Sequence, residues 1–287
     1  MKHLILLMLL VTATITGAAE GANPGKPSKA ENPWHMLEPG LEFGEFLAPL
    51  ASENGDSLIR VLRIDPNRFE FRLLNASAPG ENKLLTAKTW CQQHNLVAAT
   101  NASMYQGDYR TSVSFMRTKD HVNNPRLSKD KAILAFARRT SEVPLLKIID
   151  RQCERFEEWQ DKYETFVQSI RMISCKGTNV WTPQPEKWST AIIGIDRQGR
   201  GLFIHVRSPY STYDVINILL ALPLQISRAM YVEGGREAQL YVRSGKQEYE
   251  FVGSYASGFH NGSGNQYVHP IPNVVGIARR PKPAKAQ

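Results

Sequence analysis

The sequence predicts an α+β fold, a single domain of antiparallel or mixed sheets with about three helices. Three observations lead there. Apolar residues recur mainly in short runs bounded by Gly, Pro, Asn and Asp, the pattern of strands between turns. Helical spacing is confined to about three stretches, too few for the alternating strand-helix winding of a parallel sheet. No segment repeats at a fixed period, which sets aside solenoids and propellers.

The elements follow in chain order. Residues 57–64 (SLIRVLRI) and 69–74 (FEFRLL) alternate around Asp65-Pro-Asn67 and read as a hairpin. Residues 85–95 have helical spacing, and the apolar run 96–100 is a buried strand. Residues 113–117, 131–137 and 143–149 are further strands. Asp150 is placed to cap a helix reaching residue 163, because Cys153, Phe156 and Trp159 recur every third position. Residues 165–173 return as a strand. Residues 190–196 and 202–207 flank the turn Arg197-Gln-Gly-Arg-Gly201, a hairpin. Residues 211–222 form a helix with the capping box Ser211 to Asp214 and a stop at Pro223. Strands at 229–233, 239–243, 247–251 and 271–278 complete the chain.

Residues 1–19 join a basic start, an apolar core and small residues, which is a secretory signal peptide cleaved near Ala18-Ala19. The apolar run is shorter than the roughly 20 residues that span a bilayer, so no stable membrane insertion is expected. The mature chain of about 268 residues is secreted or periplasmic and long enough for one large core. Residues 20–32, polar and rich in Gly and Pro, are a flexible lead, 33–278 the folded domain and 279–287 a basic disordered tail. The formal charge of +8 falls to about +3 once Lys2 and the four tail cations Arg279, Arg280, Lys282 and Lys285 are set aside. A field that weak argues against a nucleic-acid partner. Of three cysteines, Cys153 and Cys175 are separated by the length of a helix and a returning strand and are expected to pair, leaving Cys91 free. Their spacing fits no zinc motif, the histidines show no close paired spacing, and neither a metal nor a cofactor is expected.

Three places carry candidate chemistry. Glu233 ends a strand and is followed by Gly234, Gly235, Arg236 and Glu237; glycines let a ligand approach the backbone and offer amides to an anion. Asn101 leaves a wholly apolar strand and opens the loop to Arg110, which contains Tyr105 and Asp108. Arg171, near Gln168 in an apolar strand, needs an acid or an anionic substrate as partner. Each place has a plainer structural reading: a Gly-Gly turn, an Asx turn and a buried ion pair.

Taken in order, these segments resemble the phosphodiester glycosidase domain family, whose members include an enzyme that removes N-acetylglucosamine from a phosphodiester, and exported bacterial proteins. The family's Asn-Gly-Gly-Phe-like turn stands here as Asn101-Ala-Ser-Met-Tyr105, and its Gln-Ser/Ala-Gly-Pro segment as Gln168-Ser-Ile-Arg171. Its Arg-Ser/Thr-Ala-Ile-Gly strand resembles Ser189-Thr-Ala-Ile-Ile-Gly194, its Asn-Leu-Asp-Gly-Gly-Ser-Ser motif Tyr231-Val-Glu-Gly-Gly-Arg-Glu237, and its Val-Pro-Asn strand Ile271-Pro-Asn273. The family's Asp is Glu233 here, its Ser-Ser is Arg236-Glu237, its glycine after Asn101 is Ser103, and its strand arginine falls at Ser189 or Thr190.

The resemblance implies hydrolysis of a sugar–phosphodiester bond in envelope or extracellular glycans, with a carbohydrate phosphodiester as substrate. It assigns Glu233, Asn101 and Asp108 to catalysis, with Glu237 as another second carboxylate. Arg171, Gln168, Gly234, Gly235, Arg236, Tyr105 and Thr190 are assigned to substrate binding, and Lys187, Arg171 or Arg236 can replace the missing strand arginine. The departures equally fit a catalytically silent module that binds glycan or protein. A metal-assisted phosphodiesterase is a third, weaker reading, and the Gly- and Ser-rich run 253–264 is a candidate lid.

Overall fold

The computed structural model describes residues 32–254 and 267–281. The expected signal peptide, most of the lead, residues 255–264 of the candidate lid and residues 282–287 lie outside the described residues. Sixteen strands and two α-helices are present among them. The chain runs through β1 (Trp34–Glu38), β2 (Leu41–Leu47), β3 (Leu58–Ile64), β4 (Phe69–Asn75), α1 (Ala87–Gln93) and β5 (Ala98–Asn101). It continues through β6 (Met116–Arg117), β7 (Val122–Asn124), β8 (Ala132–Arg138), β9 (Leu146–Asp150), β10 (Tyr163–Ile173), β11 (Trp188–Asp196) and β12 (Gly201–Tyr210). The last elements are α2 (Thr212–Ala221), β13 (Ile226–Gly234), β14 (Gln239–Ser244), β15 (Gln247–Val252) and β16 (Asn273–Arg279). No helix among the described residues is long and apolar enough to cross a membrane.

The strands form two antiparallel sheets. The larger runs β1-β2-β3-β12-β11-β13-β10-β6-β7, with β8 joined to β10 and β9 joined to β8. The smaller runs β15-β14-β5-β16-β4. One core lies between them, with Leu62, Phe203, Val167 and Val232 from the larger sheet meeting Phe71, Leu240, Val275 and Ile277 from the smaller. The opposite face of the larger sheet buries Ile192, Ile204 and Val206 under Val215, Ile216 and Leu219 of α2. Ser211 caps that helix, its hydroxyl accepting from the Asp214 amide at 3.1 Å, as the capping box predicts. α1 seals the smaller sheet with Trp90 and Cys91, whose neighbours are Ala99, Tyr241 and Val274. Cys91 is free and buried, and desolvation pushes its thiol far above the ordinary range.

Several expectations change. The fold is predominantly β, with two α-helices instead of three. The helix expected over 150–163 is replaced by turns and one 3₁₀ turn, Phe156–Glu158. Asp150 ends β9, and its side chain accepts from the Gln152 amide at 3.0 Å, the Cys175 amide at 2.9 Å and the Arg171 guanidinium at 2.9 Å. These tertiary partners compete with a helical first turn. The Phe156 ring meanwhile packs edge-on to Phe115 and Phe166, with centroids at 5.7 and 5.3 Å. The expected hairpin of residues 57–74 is a passage between sheets: β3 pairs with β2 and β12, whereas β4 pairs with β16. Strands β1 and β2 were not anticipated. Arg279 and Arg280 of the expected tail are docked, Arg279 on Glu38 at 2.7 Å and the Arg280 amide on the Arg68 carbonyl at 2.9 Å.

Cys153 and Cys175 form a disulfide across a sequence separation of 22, as expected. It ties the turn after β9 to the end of β10. Replacing both cysteines by serine should lower stability by about 2–4 kcal/mol, read as a reduced urea midpoint with an unchanged far-ultraviolet spectrum.

Candidate functional site

The candidate site gathers at the end of β13. Val232 is bulged, so that Ala191 of β11 opposes Glu233 while the next residue, Ile192, opposes Tyr231. Glu233 therefore joins a cross-strand row through Ala191 to His205 of β12 and Arg60 of β3. Its side chain is buried, the residue being 9% exposed. Desolvation pushes its carboxyl up to about 8; the Gly234 amide, donating to Oε1 at 3.0 Å, opposes this, and the nearby Glu237 charge adds to it. At neutral pH the Glu233 carboxyl thus carries a proton.

The two glycines have spatial reasons. A Cβ on Gly234 would lie 1.9 Å from the Tyr231 hydroxyl and 2.7 Å from the Trp188 indole. Gly235 sits at φ +67°, a left-handed conformation that favours glycine, and opens the 3₁₀ turn Gly235–Glu237. Gly253 packs so closely over this turn that a Cβ there would lie 2.0 Å from the Gly235 carbonyl oxygen. Thr190 opposes Gly234 across β11, and its hydroxyl is buried without a hydrogen-bond partner among the described residues. The Trp188 indole nitrogen is in the same condition. Two unanswered donors so close to one acid are uncommon in a finished core.

Asn101 does not point at open space. Its Nδ2 donates to the Glu237 carbonyl at 2.8 Å, and its Oδ1 accepts the Gln239 amide at 2.8 Å. Thr100 adds a hydroxyl bond to the Gln239 carbonyl, also at 2.8 Å. Asn101 thereby pins the Glu233–Glu237 turn from the smaller sheet. His205, which sequence reasoning left aside, is fully buried behind this turn. It lies 3.2 Å from the Ala238 carbonyl through Nε2, and burial lowers its pKa to about 3, so the ring is neutral.

The other candidates lie elsewhere. Arg171 binds both oxygens of Asp150, at 2.9 and 3.0 Å, and opposes Met230, about 10 Å of strand from Glu233. The buried Gln168 carboxamide is saturated by backbone: it accepts from Phe115 and Ser128 and donates to the Ser128 and Asp130 carbonyls. Asp108 is exposed; its carboxylate accepts the Arg110 and Thr111 amides at 2.9 Å and the Thr111 hydroxyl, which holds it below the usual range. Tyr105, on the same loop, stacks at a tilt with Tyr109 at 5.8 Å. Lys187 pairs with Glu53 at 2.7 Å, and Arg236 is exposed beside the turn. The structure thus brings Glu233, Gly234, Gly235, Arg236, Thr190 and Asn101 together, and adds Trp188, Tyr231 and His205. Strand register was the signal for His205, but register requires knowing the partners. Among the described residues one group has metal-ligand proximity, Asp150, Cys153 and Cys175, and its two sulfurs are joined to each other. A 380 Å³ cleft at Cys91, Tyr241 and Arg279 includes none of the candidate residues.

These features define a class: an antiparallel two-sheet protein with a protonated carboxyl at a strand-end Gly-Gly turn. The model of the phosphodiester glycosidase family matches residues 94–278, well over half of the chain, and the protein belongs to that family. Its structure is similar to the catalytic domain of zebrafish N-acetylglucosamine-1-phosphodiester alpha-N-acetylglucosaminidase, auto-inhibited by its pro-peptide. That likeness has a TM-score of 0.60 and 13% identity and covers 86% of each chain. A hypothetical protein from Synechocystis is similar at a TM-score of 0.57 and 12% identity over 84% of this chain and 62% of the other. No curated protein matches by sequence. At such identities the structural likeness speaks for the fold.

Because the folded pKa of Glu233, about 8, exceeds its ordinary 4.5, folding takes up a proton between those values. Stability from this group is intact below pH 4.5, falls as pH rises to 8 and levels above it. Glu233→Gln should match the parent in urea unfolding at acidic pH. At alkaline pH it should be more stable by roughly 2–4 kcal/mol.

Proposed function

We propose that the protein is an exported hydrolase that cleaves the bond between an anomeric sugar carbon and a phosphodiester oxygen, in envelope or extracellular glycans. The observation that carries this reading is the buried, proton-bearing Glu233 at the family's acidic position, beside Gly234, which admits the close approach of the Tyr231 hydroxyl and the Trp188 indole. The disulfide supports an oxidising compartment.

The leaving group is a phosphate monoester, a stable anion, so chemistry at the sugar carbon requires one proton donor and one water. As the C1–O bond breaks, its electron pair stays with the phosphate oxygen, which takes the Glu233 proton. Water adds to the oxocarbenium-like carbon and loses its proton to Glu237, the second carboxylate close enough to raise the Glu233 pKa. Proton transfer from Glu237 back to Glu233 through solvent resets the site. Arg236 and the Gly235 amide hold the phosphate, where charge-assisted bonds are strongest. The Trp188 indole and Thr190 hydroxyl, without hydrogen-bond partners among the described residues, take sugar hydroxyls. Asn101 acts by holding the turn and Asp108 by shaping the loop.

A second reading, a glycan-binding module without turnover, draws on two observations: Glu233 is 9% exposed, and the family's Ser-Ser is Arg236-Glu237. Measuring glycan binding and sugar release on one preparation separates the two. For the hydrolase, a panel of sugar phosphodiesters should give free sugar and intact phosphate monoester; sugar 1-phosphate as product would overturn carbon-side cleavage. Release should decline above pH 8 as Glu233 loses its proton. Glu233→Gln should slow it by about 10²–10⁴-fold with the fold retained; undiminished release would remove Glu233 from catalysis.

A further inference from the structure

Lys129 and Lys131 flank Asp130 on a short strap that leads into β8. This strap is clamped from beneath. The Gln168 carboxamide accepts the Ser128 amide at 3.0 Å and donates to the Asp130 carbonyl at 2.7 Å. Arg151 donates to the Ser128 and Asp130 carbonyls at 2.8 and 3.0 Å. The Asp130 carboxylate is engaged by the Ser114 and Ser128 hydroxyls at 2.5 and 2.8 Å. Both lysines are exposed, and neither makes an ion pair among the described residues.

The lysines border a 410 Å³ cleft together with Arg171, Ile170, Trp181 and Thr182. That volume lies in the range of small-ligand sites and suits one sugar with its phosphate. Arg171 directs Nη1 at Asp150, and its remaining guanidinium donors are not taken up by that pair. The three cations outnumber the two carboxylates, Asp130 and Asp150, each of which has its own partners. Trp181 is fixed by its indole N–H, which donates to the Arg171 carbonyl at 2.8 Å. Its ring lies 6.1 Å from that of Tyr231, whose hydroxyl stands over Gly234. Ile170 directly opposes Tyr231, roughly 7 Å of strand from Glu233. The cleft is therefore one aromatic ring, that of Tyr231, away from Gly234.

We propose that this cleft, framed by Lys129, Lys131, Arg171 and Trp181, is a subsite for a second phosphate of the substrate. The protein then acts on an anionic glycan in which phosphates recur along the chain. This rests on the hydrolase reading for which bond is cut; the anion site itself does not. Trp181 provides the apolar face for the intervening sugar, and the lysines and Arg171 provide its charge. Gln168 is a positioning residue for the strap.

The test uses the mature protein and a Lys129→Ala, Lys131→Ala double variant, with circular dichroism confirming that both fold. Two substrates are compared, a glycosyl phosphodiester with a short alcohol aglycone and an oligomer of phosphodiester-linked sugars. The double variant should raise KM for the oligomer by about tenfold or more, keep kcat, and leave the single diester unaffected. Equal changes on both substrates, or none on either, overturn the inference. Binding of inorganic tripolyphosphate, followed by tryptophan fluorescence, reads the cleft where no turnover occurs. It should weaken with salt and fall by about tenfold or more in the double variant. Lysine-dependent binding without sugar release means that the hydrolase reading fails and the anion site stands. Sugar release with lysine-independent binding means the reverse. Single-stranded DNA binding as tightly as the phosphate-bearing oligomer would overturn the glycan assignment.

Discussion

The candidate site depends on one carboxamide. Asn101, at the end of β5 in the smaller sheet, grips the Glu237 carbonyl and the Gln239 amide where the chain leaves β13 of the larger sheet and enters β14 of the smaller. A turn crossing between two sheets has lost the ladder partners of both. Its buried amides and carbonyls must be answered by side chains. Asn101 answers two at once and Thr100 a third. With the turn pinned, Glu233 is held in the gap between the sheets and cannot swing into solvent. Gly235 supplies the backbone conformation, while Gly234 and Gly253 allow the close approaches that the pinned turn demands.

Burial then acts differently on two acids a few strands apart. Asp150 is buried with the Arg171 guanidinium and two backbone amides directed at it, a complete set of partners for a charged carboxylate. Glu233 has one amide, no cation in the same relation among the described residues, and a second carboxylate nearby. The low-dielectric surroundings therefore favour the protonated form of Glu233. One acid becomes a structural anchor and the other a proton store. The difference lies in what surrounds each group and not in the carboxyl itself.

Legibility in the sequence followed the range of the interactions. The core strands at 96–100, 165–173, 190–196, 202–207 and 229–233 were readable because burial of one or both faces imposes an apolar pattern on the residues themselves. The capping box of α2 was readable because its partners lie three residues apart, and Cys153 pairs with Cys175 although the helix on which their spacing was argued does not form. The helix expected after Asp150 was not formed, because its periodic residues Cys153 and Phe156 satisfy a disulfide and an aromatic cluster instead. β1 and β2 carry the irregular run WHMLEPGLEFGEFL, and their strand character derives from pairing, β2 with β3 and β1 with β2. The turn at Asp65-Pro-Asn67 was legible as a turn, but not as a change of sheet.

At the site, the residue types were legible and their duties were not. The sequence alone determined that an acid, two glycines, an asparagine and a buried arginine mark the chain, and the order of those motifs was enough to indicate the family. Only the tertiary structure decided that Asn101 faces a backbone turn, that Arg171 belongs to Asp150, that Gln168 supports a lysine-bearing strap, and that Trp188 and Thr190 stand beside Glu233. The physical reason is that side-chain periodicity reports which face of an element is buried. Which partner waits on that face depends on strand order, and strand order is settled by contacts between residues far apart in the chain, 21 positions for Arg171 with Asp150 and 136 for Asn101 with Glu237.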